Sequence, residues 1–190
     1  MNAIVLLSGG LDSAVVLAKA LSLGRNVTAL NFQYGQRHAQ ELVAARLVAN
    51  HYRVPLQVIE VPLRLGASLL ATTPAGTQQP DVSPYFVPGR NLALIALADN
   101  FASDVGAAEL WLGFNADDHA GFPDCRPEFV EQLQRLVDAT LRTPLIDLKK
   151  GAVVAEARRL GVPLDLTSSC YEGAACGACD ACVLREAALR

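Results

Sequence analysis

The opening stretch NAIVLLSGGLDSAVVLAKAL, residues 2–21, restricts the fold more than any other feature of the chain. Asn2–Leu7 is a short apolar run with β-branched Ile4 and Val5, the pattern of a strand buried on both faces. Ala14–Leu23 is apolar with Lys19 at its polar edge and predicts a helix. Ser8–Ser13 is then a loop joining strand to helix. Its glycines let backbone approach a ligand, and the free N–H groups of a helix start attract phosphate. Ser8 and Ser13 add hydroxyl donors, and Asp12 stands where Mg²⁺ can bridge it to phosphate. No lysine follows the glycines, so this is not the GxxxxGKS/T loop. The same residues also suit a plain helix start after a glycine turn, with Asp12 as its N-cap.

Strand and helix patterns go on alternating. Val27–Phe32, Leu56–Val61 and Glu109–Phe114 predict strands, and Pro144–Ile146 a short fifth. His38–His51, Asn91–Ser103, Pro127–Leu141 and Lys150–Leu160 predict helices, the third opened by proline and the last stopped by Gly161. This order implies an α/β fold, a doubly wound parallel sheet with helices on both faces. Ligands of such sheets bind beyond the carboxyl ends of the strands, which predicts one shared site. Its walls would be Ser8–Ser13, Gln33–His38, Pro88–Asn91 and Asn115–Arg126. Pro62–Pro88, with five prolines and two glycines, reads as a long loop of the kind that serves function.

The 190 residues, 52% hydrophobic and 18% charged, fit one core-bearing domain with a small appendage. We divide them into a nucleotide-binding unit, 1–165, and a cysteine-rich tail, 166–190. A net charge of −3 argues against a surface that coats nucleic acid. No basic leader or long apolar window is present, so the expected protein is soluble and cytoplasmic, without membrane contact.

Three polar stretches could carry chemistry. In FQYGQRH (Phe32–His38), Arg37 can pair with a carboxylate or phosphate and His38 can act as acid or base, although an ordinary helix start explains both. In VPGRN (Val87–Asn91), Arg90 and Asn91 open a helix, and a cation there suits a transferring nucleotide. In GFNADDHAGFPDCRPEF (Gly113–Phe129), the acidic and histidine spacing is too irregular for a dedicated metal site. Asp124 and Arg126 suit polar substrate contacts, and Cys125 reads as structural.

Cys170, Cys176, Cys179 and Cys182 fall within the last 21 residues. In a reducing compartment such clustering points to metal. Four thiolates on tight turns suit tetrahedral Zn²⁺ in a closed, structural site, with Arg185 to offset its charge. An iron–sulfur cluster is the rival reading, and disulfides are a third.

Taken together, SGGLDS, FQYGQRHAQEL, VPGRN, GFPDCRPEF, TPLIDLKK and SCY…CGACDACVLR resemble the 7-cyano-7-deazaguanine synthase (QueC) family, within the N-type ATP pyrophosphatases (the PP-loop superfamily). The motifs run in family order from Ser8 to Arg185. The resemblance implies a cytoplasmic enzyme of queuosine biosynthesis that forms C–N bonds. It would adenylate 7-carboxy-7-deazaguanine with ATP, let ammonia displace AMP, and use a second ATP to turn the amide into a nitrile. It also implies Mg²⁺ with ATP, one structural Zn²⁺ on the four cysteines, and a homodimer. Carried over, Ser8, Gly9, Gly10, Leu11, Asp12, Ser13 and Phe32 bind ATP. Asp12, Ser13, Arg90 and Lys150 serve catalysis, and Gln36, Arg37, Asn91, Asp124 and Arg126 bind substrate. The chain departs from the family at His119 and Phe122, where tyrosines are usual, and in a closer first pair of cysteines. The stretch before Pro144 is about a dozen residues short for such folds. An offshoot could stop at the amide, or join the deazaguanine acid to an amine of another molecule or a partner protein.

Overall fold

The computed structural model describes residues 1–36, 40–71, 74–77, 79–173 and 175–190; Arg37 and His38 lie outside them. Five strands, β1 (Asn2–Leu6), β2 (Asn26–Gln33), β3 (Leu56–Glu60), β4 (Glu109–Trp111) and β5 (Thr140–Arg142), form one sheet in the order β3-β2-β1-β4-β5. Every pairing is parallel. The helices are α1 (Leu11–Ser22), α2 (Gln40–Tyr52), α3 (Arg90–Asp104), α4 (Pro127–Gln134), α5 (Lys150–Arg159) and α6 (Asp180–Leu189).

Alternation along β1 sets the two layers. Ala3, Val5 and Leu7 pack with α1, α2 and α5 through residues such as Val15, Val48 and Val153. Ile4 faces the other way, onto Leu94 and Ile95 of α3 and Leu133 of α4. The strand order turns at β1, between β2 and β4, so a crevice opens at their carboxyl ends.

The fifth strand is not Pro144–Ile146. Pro144 has no N–H for a ladder, whereas Thr140–Arg142 pairs residue for residue with Glu109–Trp111. The expected helix to Leu141 therefore stops at Gln134, whose amide accepts from Leu141 N (2.7 Å) and donates to Ala139 O (3.1 Å). Asp99 of α3 takes the N–H groups of Asp138 and Ala139 at 3.2 and 2.9 Å, which fixes the turn between them.

At the opposite end of the sheet Glu109 is 1% exposed. It accepts from Arg25 Nε (2.7 Å), Arg142 Nε (3.0 Å) and Trp111 Nε1 (3.0 Å). Burial pushes its pKa up, but these donors outweigh burial and hold it below the usual carboxylate range. Glu109→Gln is expected to cost about 2–3 kcal/mol in urea unfolding, since it removes charge-assisted bonds from a buried site. A carboxylate with a depressed folded pKa stabilises the fold above its unfolded value, about 4.3. That contribution is lost as pH falls through the lower folded value, so the gap between wild type and Glu109→Gln should close in acid.

Beyond the last strand the tail contains α6, whose Ala188 and Leu189 rest against the first core. Arg158 of α5 donates to Leu189 O at 2.8 Å. The loop 62–88 and the tail meet in a third apolar cluster, where Leu65, Leu70, Tyr85 and Val87 surround Cys170, Cys179 and Cys182. Among the described residues no helix is long and apolar enough to cross a membrane.

Candidate active site

The loop after β1 folds back over the start of α1. Gly10 is the N-cap, so Asp12 lies inside the first turn and is not the cap. Ser13 Oγ donates to Gly10 O (2.9 Å), Ser8 Oγ lies 3.2 Å from Ser13 Oγ, and Gly10 N donates to Ser8 Oγ at 3.2 Å. Gly9 has φ +95°, and a Cβ there would stand 2.4 Å from Glu41 O and 2.6 Å from Ala45 N. The first turn of α2 presses on the loop and leaves no room for a side chain. Gly9→Ala should therefore displace α2 and weaken ATP binding at least tenfold, with about 2–3 kcal/mol of lost stability. Titration calorimetry with an ATP analogue and a urea melt check both.

Lys150, the first residue of α5, reaches across to this loop. Its Nζ donates to both carboxylate oxygens of Asp12, at 2.9 and 2.8 Å, and its backbone N–H donates to Asp117 Oδ2 at 2.7 Å. Asp117 and Asp118 belong to a 3-10 turn, Ala116–His119, that Asn115 caps. Asn115 is fully buried and donates its backbone N–H (3.2 Å) and its amide (2.8 Å) to Asp118 Oδ2. Burial first, then the charge of Asp12, raise the Asp118 pKa to about 6 against the opposing charge of Lys150.

Two cavities open side by side at the carboxyl end of the sheet, of about 260 and 740 Å³. Ser8, Gly10, Asp12, Glu41, Asp118, Phe122 and Tyr171 line both and so mark their junction. The smaller also takes Ser13, Phe32, Arg90 and Asn91 into its wall, beside Tyr34 and the apolar Leu30, Leu94 and Leu112. Arg90 lies over the Tyr34 ring, 5.9 Å from its centroid, and donates to Tyr34 OH at 3.4 Å. The larger takes in Leu11 and Lys150, together with Ser168, Ser169 and Arg185 from the tail.

Three expected substrate contacts do not line either cavity. Gln36 is turned onto its own loop, accepting from Tyr34 N (2.7 Å) and donating to Phe32 O (3.3 Å). Arg126 donates to His119 O at 2.7 Å and braces that turn. Asp124 is buried with both carboxylate oxygens unpartnered among the described residues, and burial raises its pKa against the pull of Arg90. Its neighbour Cys125 is held protonated by burial and receives the Asn91 amide at 3.5 Å, which fits a structural thiol. Arg37 lies outside the described residues.

Sequence reasoning missed the contributions of α2 and the tail. Glu41 looks like any acid favoured in a first helical turn. Burial raises its pKa, although Arg90 opposes this. Ser168 N donates to Gly9 O (2.9 Å) and Leu11 N to Ser169 Oγ (3.4 Å), so the tail is stitched to the loop Ser8–Ser13. Arg185 supports that stitch, donating to Thr167 Oγ1 (2.7 Å) and Ser169 Oγ (3.3 Å). No sequence spacing announces contacts across some 160 residues.

The four tail cysteines converge, with every Sγ within 4.8 Å of the others. Thiolates about 2.3 Å from a tetrahedral ion stand about 3.8 Å apart, so small side-chain adjustments bring the set to metal geometry. The N–H groups of Ala178 and Cys179 donate to Cys176 Sγ and pull its pKa down to about 7, favouring the ligating thiolate. None of the four forms a disulfide. The group can hold a metal ion.

A glycine loop with no lysine of its own, set at the switch point of a parallel five-stranded sheet, places the molecule in the class of doubly wound α/β proteins that bind ligands beyond the carboxyl ends of their strands. The family described as "Queuosine biosynthesis protein QueC" matches residues 2–190, and the chain belongs to it. A 7-cyano-7-deazaguanine synthase from Magnetococcus marinus is 41% identical over 206 residues, spanning 97% of this chain and 90% of that one. One from Synechococcus sp. is 43% identical over 209 residues, spanning 100% and 92%. Both alignments are longer than the 190 residues of the chain, so it lacks segments these relatives carry. The fold also resembles a 4-thiouridine synthetase solved with RNA and ATP, at 21% identity and a TM-score of 0.62, over 87% of this chain and 42% of that one.

Proposed function

We propose that the chain converts 7-carboxy-7-deazaguanine and ammonia to 7-cyano-7-deazaguanine, consuming ATP to AMP and pyrophosphate. The observation that carries this reading is the match to curated synthases at about two-fifths identity along nearly the whole chain. The geometry supports it. A carboxylate is a poor electrophile, and adenylation gives it AMP as a leaving group. The start of α1 and the amine of Lys150 face the place where pyrophosphate charge develops, which stabilises its departure. Asp12 holds that amine in position and is the residue we assign to Mg²⁺, which neutralises phosphate charge when bound. Ser8, Gly9, Gly10, Leu11 and Ser13 cradle the phosphates, and Phe32 borders adenine. Arg90 and Asn91 contact the reacting ligands from the smaller cavity. We assign Zn²⁺ to Cys170, Cys176, Cys179 and Cys182, where it closes the tail 166–190 onto the unit 1–165. The cytoplasm and a homodimer follow from the family reading. The curated relatives favour the nitrile over an amide or a ligated product.

The test is pyrophosphate release from MgATP. It is expected only when 7-carboxy-7-deazaguanine is present, and release independent of that acid, or its absence with it, contradicts the reading.

A further inference from the structure

The proposed reaction has a proton problem. Ammonia attacking the acyl adenylate leaves a positively charged nitrogen that must lose a proton before AMP departs. The amide nitrogen then carries two hydrogens, and both must leave before the carbon–nitrogen triple bond exists. Phosphate chemistry at the loop does not remove them, so a base is needed at the junction of the two cavities.

Three carboxylates line that junction: Asp12, Glu41 and Asp118. Asp12 is committed to Lys150 through both oxygens. Glu41 makes no side-chain hydrogen bond among the described residues, so none of them fixes its direction. Asp118 differs from both. Asn115, itself fully buried, holds Oδ2 with two bonds, which sets the carboxylate's orientation and leaves Oδ1 without a hydrogen bond among the described residues, in a residue that lines both cavities. Cys125 cannot compete, because burial keeps it protonated.

We propose that Asp118 is the base that takes the nitrogen-borne protons in amide and nitrile formation, an assignment that rests on the proposed synthase reading. In the first step the N–C bond forms, the tetrahedral nitrogen gives a proton to Asp118, and the C–O bond to AMP breaks. In the second, the amide oxygen displaces pyrophosphate from another ATP and one N–H proton leaves. Loss of the remaining N–H proton then accompanies departure of AMP with the C–O electron pair. Asp118 returns each proton to solvent between steps. The titratable groups that face it are Asp12 from α1, Lys150 from α5 and His119 from its own turn, with Tyr171 and Cys125 nearby. Burial and Asp12 bring its pKa to about 6, a value at which a carboxylate is ionised at neutral pH yet basic enough to accept.

The experiment separates adenylation from nitrogen chemistry. Isotope exchange between ATP and pyrophosphate, dependent on 7-carboxy-7-deazaguanine, needs no nitrogen proton to move. At saturating Mg²⁺, Asp118→Asn should keep exchange within about threefold while nitrile formation falls about 10²–10⁴-fold. Asp118→Glu should restore part of that loss. Equal loss of exchange and nitrile in Asp118→Asn would overturn the inference in favour of a role in adenylation or folding. Nitrile formation at the wild-type rate would overturn it outright. Absence of acid-dependent exchange in the wild type would instead sink the synthase reading itself.

Discussion

Lys150→Ala is expected to lower acid-dependent pyrophosphate release by about 10²–10³-fold while the fold stays intact. The amine of Lys150 makes its side-chain hydrogen bonds to Asp12, and the residue also presents its backbone N–H to Asp117, which alanine keeps. Losing the amine leaves Asp12 without its cation, but Asp12 is 24% exposed in its side chain and rehydrates, so stability changes by less than about 1 kcal/mol. The transition state fares differently. Charge moves onto the departing pyrophosphate, and removal of a preorganised donor at such a place costs several kcal/mol of barrier. Lys150→Arg should recover only part of the rate, because a planar guanidinium cannot occupy the point between the two Asp12 oxygens in the same way. A Lys150→Ala enzyme with wild-type release would exclude the residue from the chemistry.

The other large effect is expected on removal of the metal we assign to the tail cysteines. Three of the four cysteines, Cys170, Cys179 and Cys182, belong to the apolar cluster that joins the loop 62–88 to the tail, while Cys176 is exposed. Tyr85 donates to Glu172 at 2.9 Å and packs on Tyr171 with ring centroids 4.4 Å apart, so the cavity wall at Tyr171 depends on the same cluster. A structural metal on four thiolates supplies folding free energy directly. Stripping it with a chelator should lower the melting temperature by about 10 °C, and hydrogen exchange should speed up in both 62–88 and 167–190. Elemental analysis gives the stoichiometry, expected at one ion per chain. A fully demetallated protein with an unchanged melting temperature would show that the cysteines do not serve this purpose.

The features legible in the sequence are those written in local pattern. Alternating apolar runs marked the sheet and its helices, the SGGLDS loop marked residues that line the two cavities, and the CxxCxxC spacing marked the cysteine group that can hold a metal. What escaped was set by tertiary contact. Leu145 is fully buried and made Pro144–Ile146 look like a strand, but the ladder runs through Thr140–Arg142, where N–H groups meet β4. Gln36 and Arg126 sit in motif-like stretches, yet both serve to brace their own turns. Ser168, Ser169 and Arg185 belong to the cavity wall because the tail folds back onto the loop after β1, a closure that no local signal encodes. Burial raises the pKa of Glu41, and burial with the charge of Asp12 raises that of Asp118, conditions that only the assembled crevice provides.

The most direct measurement is mass spectrometry of the products formed from 7-carboxy-7-deazaguanine, MgATP and an ammonium salt. The account predicts 7-cyano-7-deazaguanine, with two AMP and two pyrophosphate for each nitrile. An amide that accumulates and goes no further, or an adenylate that ammonia does not discharge, would contradict it and point to another amine as the acceptor.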